Sequence, residues 1–281
     1  MIRLVTVIGH GVDLIPHFIK HYQNSVDEIS IVVYESDLYP TLSNEVSKVI
    51  ENFNNVNIVK VHKDRVFDWE KVTMLYNHIT NEKPDDWWVI ADIDEFQVYP
   101  CLLKKLTHDM EMNGHIMARG GFIDRIGEGG EFSELKSDII LWEQFPNAGF
   151  FRYPMSGANP NKVCVMKGYV ELTSGQHYAK IDGHTTWKWQ GWKHPLIDPH
   201  NTVQVHHFKW DKTAIERIKL VADNNQEYSF SDEYKLMYQE LEKNNFIIDL
   251  DNKNFEFTHL PLPYYYGFIK WNKLIKKIIS I

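Results

Sequence analysis

The chain is short of cysteine, of clustered positive charge and of long apolar runs, and each shortage removes a class of protein. Cys101 and Cys164 are the 2 cysteines among 281 residues, too few for a disulfide framework or a cysteine-rich zinc site. That fits a reducing compartment, with a single bridge between them left open. Lysine and arginine number 30 against 38 aspartates and glutamates, and a net charge of -8 argues against a general nucleic-acid binder, whose phosphate contacts need clustered cations. No stretch approaches the roughly 18 apolar residues of a membrane span. The opening Met1-Ile2-Arg3-Leu4-Val5-Thr6-Val7-Ile8 lacks a charged n-region, a long apolar core and a cleavage site, so it reads as a first strand and not a signal peptide. What is present, 43% apolar and 24% charged residues, is the composition of a soluble globular protein able to bury a core.

The chain is organised around Trp87-Trp88-Val89-Ile90-Ala91-Asp92-Ile93-Asp94-Glu95-Phe96. Its apolar run predicts a buried strand, and the run ends abruptly in carboxylates where a sheet edge meets solvent. At the carboxyl end of a parallel strand such acids face the crevice where α/β proteins bind ligands. Asp92 and Asp94 are expected on one face, since strand side chains two apart share a face. Hard oxygen ligands suit Mg²⁺ or Mn²⁺, and a divalent ion bridged to a phosphorylated ligand offsets the repulsion between the acids. The plain alternative is a solvated acidic turn after a core strand.

The residues before this stretch alternate. Arg3 to Ile8 suits a buried strand, followed by a turn at Gly9-His10-Gly11 and a helix that Asp13 can cap, with Leu14, Ile15, Phe18, Ile19 and Tyr22 at helical spacing and Pro16 in its first turn. Ile29 to Tyr34 reads as a second strand ending in Glu35. A helix from about Thr41 to Phe53, a strand Val56 to Val61 and a helix from about Asp68 to Thr80 lead to the central strand. This βαβαβαβ order predicts an α/β fold with a mostly parallel, Rossmann-like central sheet flanked by helices, whose binding edge gathers residues near Gly9, Glu35, Lys63 and Asp92.

Past Glu95 the pattern is less regular. A helix from Pro100 to about Met112 and a strand from His115 to Phe122 lead into the glycine-rich Gly121 to Gly130, which reads as a loop. Trp187, Trp189 and Trp192 are packed or stack on sugar faces, packing being the commoner use. Val203, Val205 and His207 alternate with Gln204, His206 and Phe208, so only one of the two histidines faces any given site. Helices from Lys212 (capped by Asp211) to about Asp223 and from about Ser231 to Asn244 predict a helical extension. The division read from this is a domain over 1–210 with a helical extension over 211–281 packed on it. In the end segment, Trp271, Ile275, Ile278 and Ile279 share one face and Lys273, Lys276 and Lys277 another. Such a helix docks on the protein's own body, the commoner outcome, or lies on an anionic membrane surface.

The order strand, helix, strand ending in an acid, helix, strand, helix, then Asp-x-Asp resembles the GT-A glycosyltransferases, particularly bacterial and viral family-2-like enzymes. The likeness is carried by Asp13 to Tyr22, by Lys71 to Phe96 with Asn77 on its helix and Asp-Ile-Asp-Glu-Phe at its end, by Asp124-Arg125-Ile126-Gly127, and by His207-Phe208. It spans about Arg3 to Trp210. What it implies is a metal-dependent transferase moving a sugar from a nucleotide-diphosphate sugar to a glycan or lipid-linked acceptor, in the cytoplasm or at its membrane face. By that resemblance Asp94 ligates Mn²⁺ or Mg²⁺, Asp92 meets the ribose or the metal's water shell, and His207, or His206 in the other register, is a late ligand. Glu35 would hydrogen-bond the nucleoside, and Lys63 and Arg65 would reach base or phosphate. The chemistry agrees: charge grows on the leaving diphosphate, and an inverting enzyme needs a base for the acceptor hydroxyl. Asp124 is the first choice for that base, with Glu128, Glu131 and Asp182 open. The family's Glu-Asp pair at the acceptor helix has no counterpart here, which leaves base and stereochemistry open.

Three other readings compete. A sugar nucleotidyltransferase needs a basic residue in the loop after the first strand, and Ile8-Gly9-His10-Gly11-Val12-Asp13 has none. A non-catalytic nucleotide- or glycan-binding member of the fold is disfavoured by the intact Asp92 and Asp94. A metal-dependent hydrolase is the third.

Overall fold

The computed structural model describes residues 1–151, 154–156, 161–181, 183–185, 194–198, 202–224, 228–252 and 258–259. Asp182, Trp187, Trp189, Trp192 and the basic segment 264–279 lie outside them. In chain order the elements are β1 (Ile2–Ile8), α1 (Ile15–Tyr22), β2 (Glu28–Glu35), α2 (Leu42–Ile50), β3 (Val56–Lys63), α3 (Trp69–Asn81), β4 (Trp87–Ile90), β5 (Glu95–Val98), α4 (Leu103–Met112) and β6 (Met117–Ile126). There follow α5 (Leu141–Gln144), β7 (Asn147–Gly149), β8 (Asn161–Lys167), β9 (Glu171–Leu172), β10 (Ala179–Ile181), β11 (His184–Thr185), β12 (Val203–His207), α6 (Lys212–Asp223), α7 (Ser231–Lys243) and β13 (Thr258–His259). They form two compact units interleaved along the chain, one built on Met1–Phe122 and Pro160–Val205, the other on Ile123–Asn159 and His206–Tyr264.

The first unit holds the expected α/β arrangement. Its sheet runs β4-β1-β2-β3 in parallel, with Leu4 paired to both Val89 and Ile29 and Val33 to Val61. Beyond β4, β8 and then β6 continue the sheet antiparallel, with Met166 paired to Trp88 and to Met117. β1, β2 and β4 are buried on both faces, which is why they read as unbroken apolar runs. β3, at the edge, alternates between covered and open residues. Asp68 caps α3 by accepting from the backbone N–H groups of Glu70 at 2.8 Å and Lys71 at 3.2 Å. The helix then buries Val72, Leu75, Tyr76 and Ile79 against Val5, Val7, Val32 and Tyr34. Where Asp13 was expected to cap α1, a single 3₁₀ turn over Val12–Leu14 precedes the helix with no side-chain cap, and Pro16 in the first turn sets the entry instead.

The second unit is the smaller. Asp124 to Ile126 at the end of β6 pair with Gly149 to Asn147 of β7, and β13 extends β7. Its core packs Ile126, Phe151 and Trp210 against Ala214 and Ile218 of α6 and Met237 and Leu241 of α7. Both helices lie where periodicity placed them, and Asp211 accepts from the Ala214 N–H at 3.1 Å as the expected cap. The glycine-rich stretch differs from its reading as a loop. The strand continues through Ile126, so Asp124 and Arg125 are strand residues. Gly120 is there for close approach: a Cβ on it would meet the Cys164 sulfur and lie 2.7 Å from the Val203 carbonyl oxygen. Among the described residues no helix is long and apolar enough to cross a membrane.

Candidate active site

The chain runs β1, β2, β3 to one side and then returns to place β4 on the other side of β1. The sheet's topological switch point therefore lies between β1 and β4, where open α/β sheets bind ligands at the carboxyl ends of their strands. Gly9 follows β1, Glu35 ends β2, Lys63 ends β3 and Asp92 follows β4, so one sheet edge carries all four residues expected there. The ladder between β1 and β4 stops at Val5 and Ile90, and Tyr76 from α3 fills the opening. Its hydroxyl accepts from the Val7 N–H at 3.2 Å and lies 3.1 Å from the Ala91 carbonyl and 2.7 Å from Asp92 Oδ1. The shorter contact to a carboxylate takes the proton. Burial first, then the neighbouring Asp92, pushes the Tyr76 phenol well above its ordinary value.

The motif itself is a turn, not the continued strand expected. β4 ends at Ile90, the Glu95 N–H bonds back to the Asp92 carbonyl at 2.9 Å, and β5 begins at Glu95. Strand alternation therefore does not govern how Asp92 and Asp94 point. Side chains from elsewhere hold this turn. Gln97 donates to the Ile90 carbonyl at 2.6 Å, and the Tyr22 hydroxyl of α1 bridges the Glu95 carbonyl at 2.9 Å and the Gln97 N–H at 2.8 Å.

The residue that sequence reasoning missed is Lys162 of β8. Its ammonium, 3% exposed, lies 2.9 Å from Asp92 Oδ2, 2.8 Å from Glu95 Oε1, 3.0 Å from Gln176 Oε1 and 3.1 Å from the Gly175 carbonyl. Burial opposes its charge, but Asp92 and Glu95 outweigh it and raise the Lys162 pKa. Lys162 and Asp92 are 70 residues apart, beyond any local pattern. One signal was available: a lysine second in the run Asn161-Lys162-Val163-Cys164-Val165 needs a buried counter-charge if that run is a core strand. The receiving loop is tightly held, with Gln176 fully buried at φ +57.

Two expected nucleotide-contacting residues are brought together. Glu35 accepts from Ser43 through its hydroxyl at 2.5 Å and its N–H at 3.0 Å, and lies 2.9 Å from the Lys63 ammonium. Hydrogen bonds from Ser43, then from Lys63, lower the Glu35 pKa to about 2. The Glu35 side chain is itself buried, 4% exposed, while the Lys63 beside it is 76% exposed. Arg65 follows two residues after Lys63, its carbonyl bonded to the Asp37 N–H at 3.1 Å. The folded protein binds fewer protons at Glu35 than the unfolded chain between its ordinary value of 4.5 and about 2. Its stabilisation is therefore complete above that window and lost as pH falls through about 2. In urea melts from pH 7 to pH 2, Glu35→Gln is expected to flatten the stability profile below pH 4.5.

In the second unit, Asp124 and His207 meet. Asp124 is 5% exposed; its Oδ1 accepts from His207 Nδ1 and Trp210 Nε1, each at 3.0 Å, and its Oδ2 from the Phe151 N–H at 3.0 Å. A carboxylate offers only acceptors, so Nδ1 carries the imidazole hydrogen and Nε2 is the basic nitrogen. His206 is fully buried with its ring 5.9 Å from Trp142, so His207 is the member of the doublet that reaches the surface, its side chain 16% exposed. Glu128 and Glu131 are exposed on the following turn.

A divalent ion does not fit as a direct ligand of Asp92. One of its oxygens takes the Tyr76 proton, and the other faces a buried ammonium that would repel a dication. Asp94, half-buried, is engaged as well. Among the described residues no three His, Cys, Asp or Glu side chains gather to hold a metal.

No family model and no curated protein matches the chain. Solved structures do, distantly. Mannose-6-phosphate isomerase from Helicobacter pylori aligns at TM-score 0.32 and 12% identity over 60% of this chain and 71% of that one. A provisionally assigned glucose-1-phosphate thymidylyltransferase from Bacillus anthracis, solved with a sucrose, aligns at TM-score 0.28 and 8% identity over 50% of this chain and 62% of that one. Likenesses this slight carry no argument about what the chain does.

Proposed function

We propose that the protein is a GT-A-type glycosyltransferase that takes a sugar from a nucleotide-diphosphate sugar and passes it to a hydroxyl of a glycan or lipid-linked acceptor. The observation that carries this reading is the parallel order β4-β1-β2-β3, with Asp92 at the switch point and Glu35 and Lys63 on the same carboxyl edge. Glu35, fixed as a carboxylate by Ser43 and Lys63, accepts hydrogen bonds from the nucleoside, and Lys63 and Arg65 offer cations to base or phosphate. In the transfer the bond from anomeric carbon to diphosphate oxygen breaks, the acceptor oxygen bonds to that carbon, and the acceptor's proton leaves. We assign Asp124 a positioning part: its hydrogen bonds orient His207, whose Nε2 is suited to receive that proton.

The test is to incubate the protein with a panel of nucleotide sugars and mixed glycan acceptors, following nucleoside diphosphate release and sugar incorporation. Release and incorporation with one donor, both lost in Glu35→Ala, are expected. Pyrophosphate formed from a nucleoside triphosphate and a sugar 1-phosphate would replace this reading with nucleotidyl transfer. No turnover alongside nucleotide binding would leave a binding protein.

A further inference from the structure

We propose that the Lys162 ammonium stands in the place of a divalent cation at this edge, so that a nucleoside diphosphate binds there without metal. This rests on the reading of the edge as a nucleotide-sugar site. Four oxygens converge on one cation between 2.8 and 3.1 Å: a carboxylate oxygen each from Asp92 and Glu95, an amide oxygen from Gln176 and a backbone carbonyl from Gly175. A set of two carboxylates and two carbonyls is also what a hard divalent ion takes, at shorter distances of about 2.0–2.6 Å. Here a covalently tethered monocation fills it. The tether runs through β8, whose pairing with β4 fixes the lysine's height on the sheet.

Two consequences follow from the charge. A dication brought within coordinating distance of Asp92 or Glu95 would lie close to the ammonium in a site nearly closed to water, where repulsion is weakly screened. The ammonium also does part of what a metal does for an anionic ligand, since it neutralises one of the two acids it holds. The exposed Lys63 supplies a further cation at the same edge, paired with Glu35 at 2.9 Å.

The experiment is a calorimetric titration of the wild-type chain with UDP, GDP, CDP, ADP and dTDP, each in EDTA and in Mn²⁺. One of them is expected to bind with a Kd that differs by less than about threefold between the two buffers. Binding only in Mn²⁺ would overturn the inference and leave the nucleotide reading standing. Absence of binding in both would overturn the reading, and the inference with it. In a second arm Mn²⁺ alone is titrated into wild type and Lys162→Met. Removing the ammonium is expected to open the four-oxygen set and tighten Mn²⁺ at least about tenfold, with the gain abolished by adding Asp92→Asn. Equal Mn²⁺ affinity in wild type and a folded Lys162→Met would refute the substitution of lysine for metal; should that variant not fold, the EDTA comparison decides alone.

Discussion

Lys162→Met is expected to destabilise the first unit by about 3–5 kcal/mol, the cost of leaving a buried charge uncompensated, and to lower its melting temperature by roughly 10 °C. The methionine nearly matches the lysine stem in volume, so little of the loss is packing. What remains is Asp92 and Glu95 without the Lys162 ammonium that both contact, with Glu95 1% exposed. Such a pair relieves itself by taking up a proton, which raises a carboxyl pKa in the folded variant above that of the unfolded chain. The folded variant then binds the extra proton, so its stability should improve as pH falls from 7 to 5, opposite to the usual carboxylate trend. Adding Glu95→Gln should return much of the loss, because the repulsion between two carboxylates is then gone. Urea melts of the four proteins at both pH values give the coupling directly. Additive losses with no pH dependence would mean that the three groups do not act as one network.

That network marks the limit of what local sequence shows. The four parallel strands, α3 and α6 with its Asp211 cap were legible because each depends on residues within a few positions: apolar periodicity and a capping oxygen. The carboxyl edge was legible for the same reason, since parallel alternation fixes which ends of the strands lie together. Lys162, Tyr76 and Gln176 were not, because their role is set by tertiary packing that brings three separate segments to Asp92. The strand from His115 to Phe122 was legible with Gly120 and Gly121 inside it, but its continuation to Ile126 was not. Glycine signals either a loop or a backbone that must come close to another, and at Gly120 it is the second. A loop over Gly121 to Gly130 would leave Asp124 facing solvent. On a buried strand it is a fully hydrogen-bonded carboxylate instead.

The same observation gives Asp124→Asn its expected outcome, a loss of about 2 kcal/mol in stability and at least about a hundredfold in turnover. Asparagine has one acceptor oxygen where aspartate has two, and three donors converge here. If its oxygen stays with His207 Nδ1 and Trp210 Nε1, its amino group faces the Phe151 N–H, and two donors meet in a buried place. If it flips, the amino group meets the Trp210 N–H and also donates to His207 Nδ1, which forces the imidazole hydrogen onto Nε2. Either arrangement strands a buried N–H, and the flipped one puts the hydrogen on Nε2, which is then no longer a base. Imidazole ¹⁵N chemical shifts separate the cases, because they report which nitrogen carries hydrogen. A lost turnover with the hydrogen moved to Nε2 identifies Asp124 as the residue that positions His207. A lost turnover with the hydrogen still on Nδ1, and with His207→Ala nearly as active as wild type, would return the base to Asp124 itself.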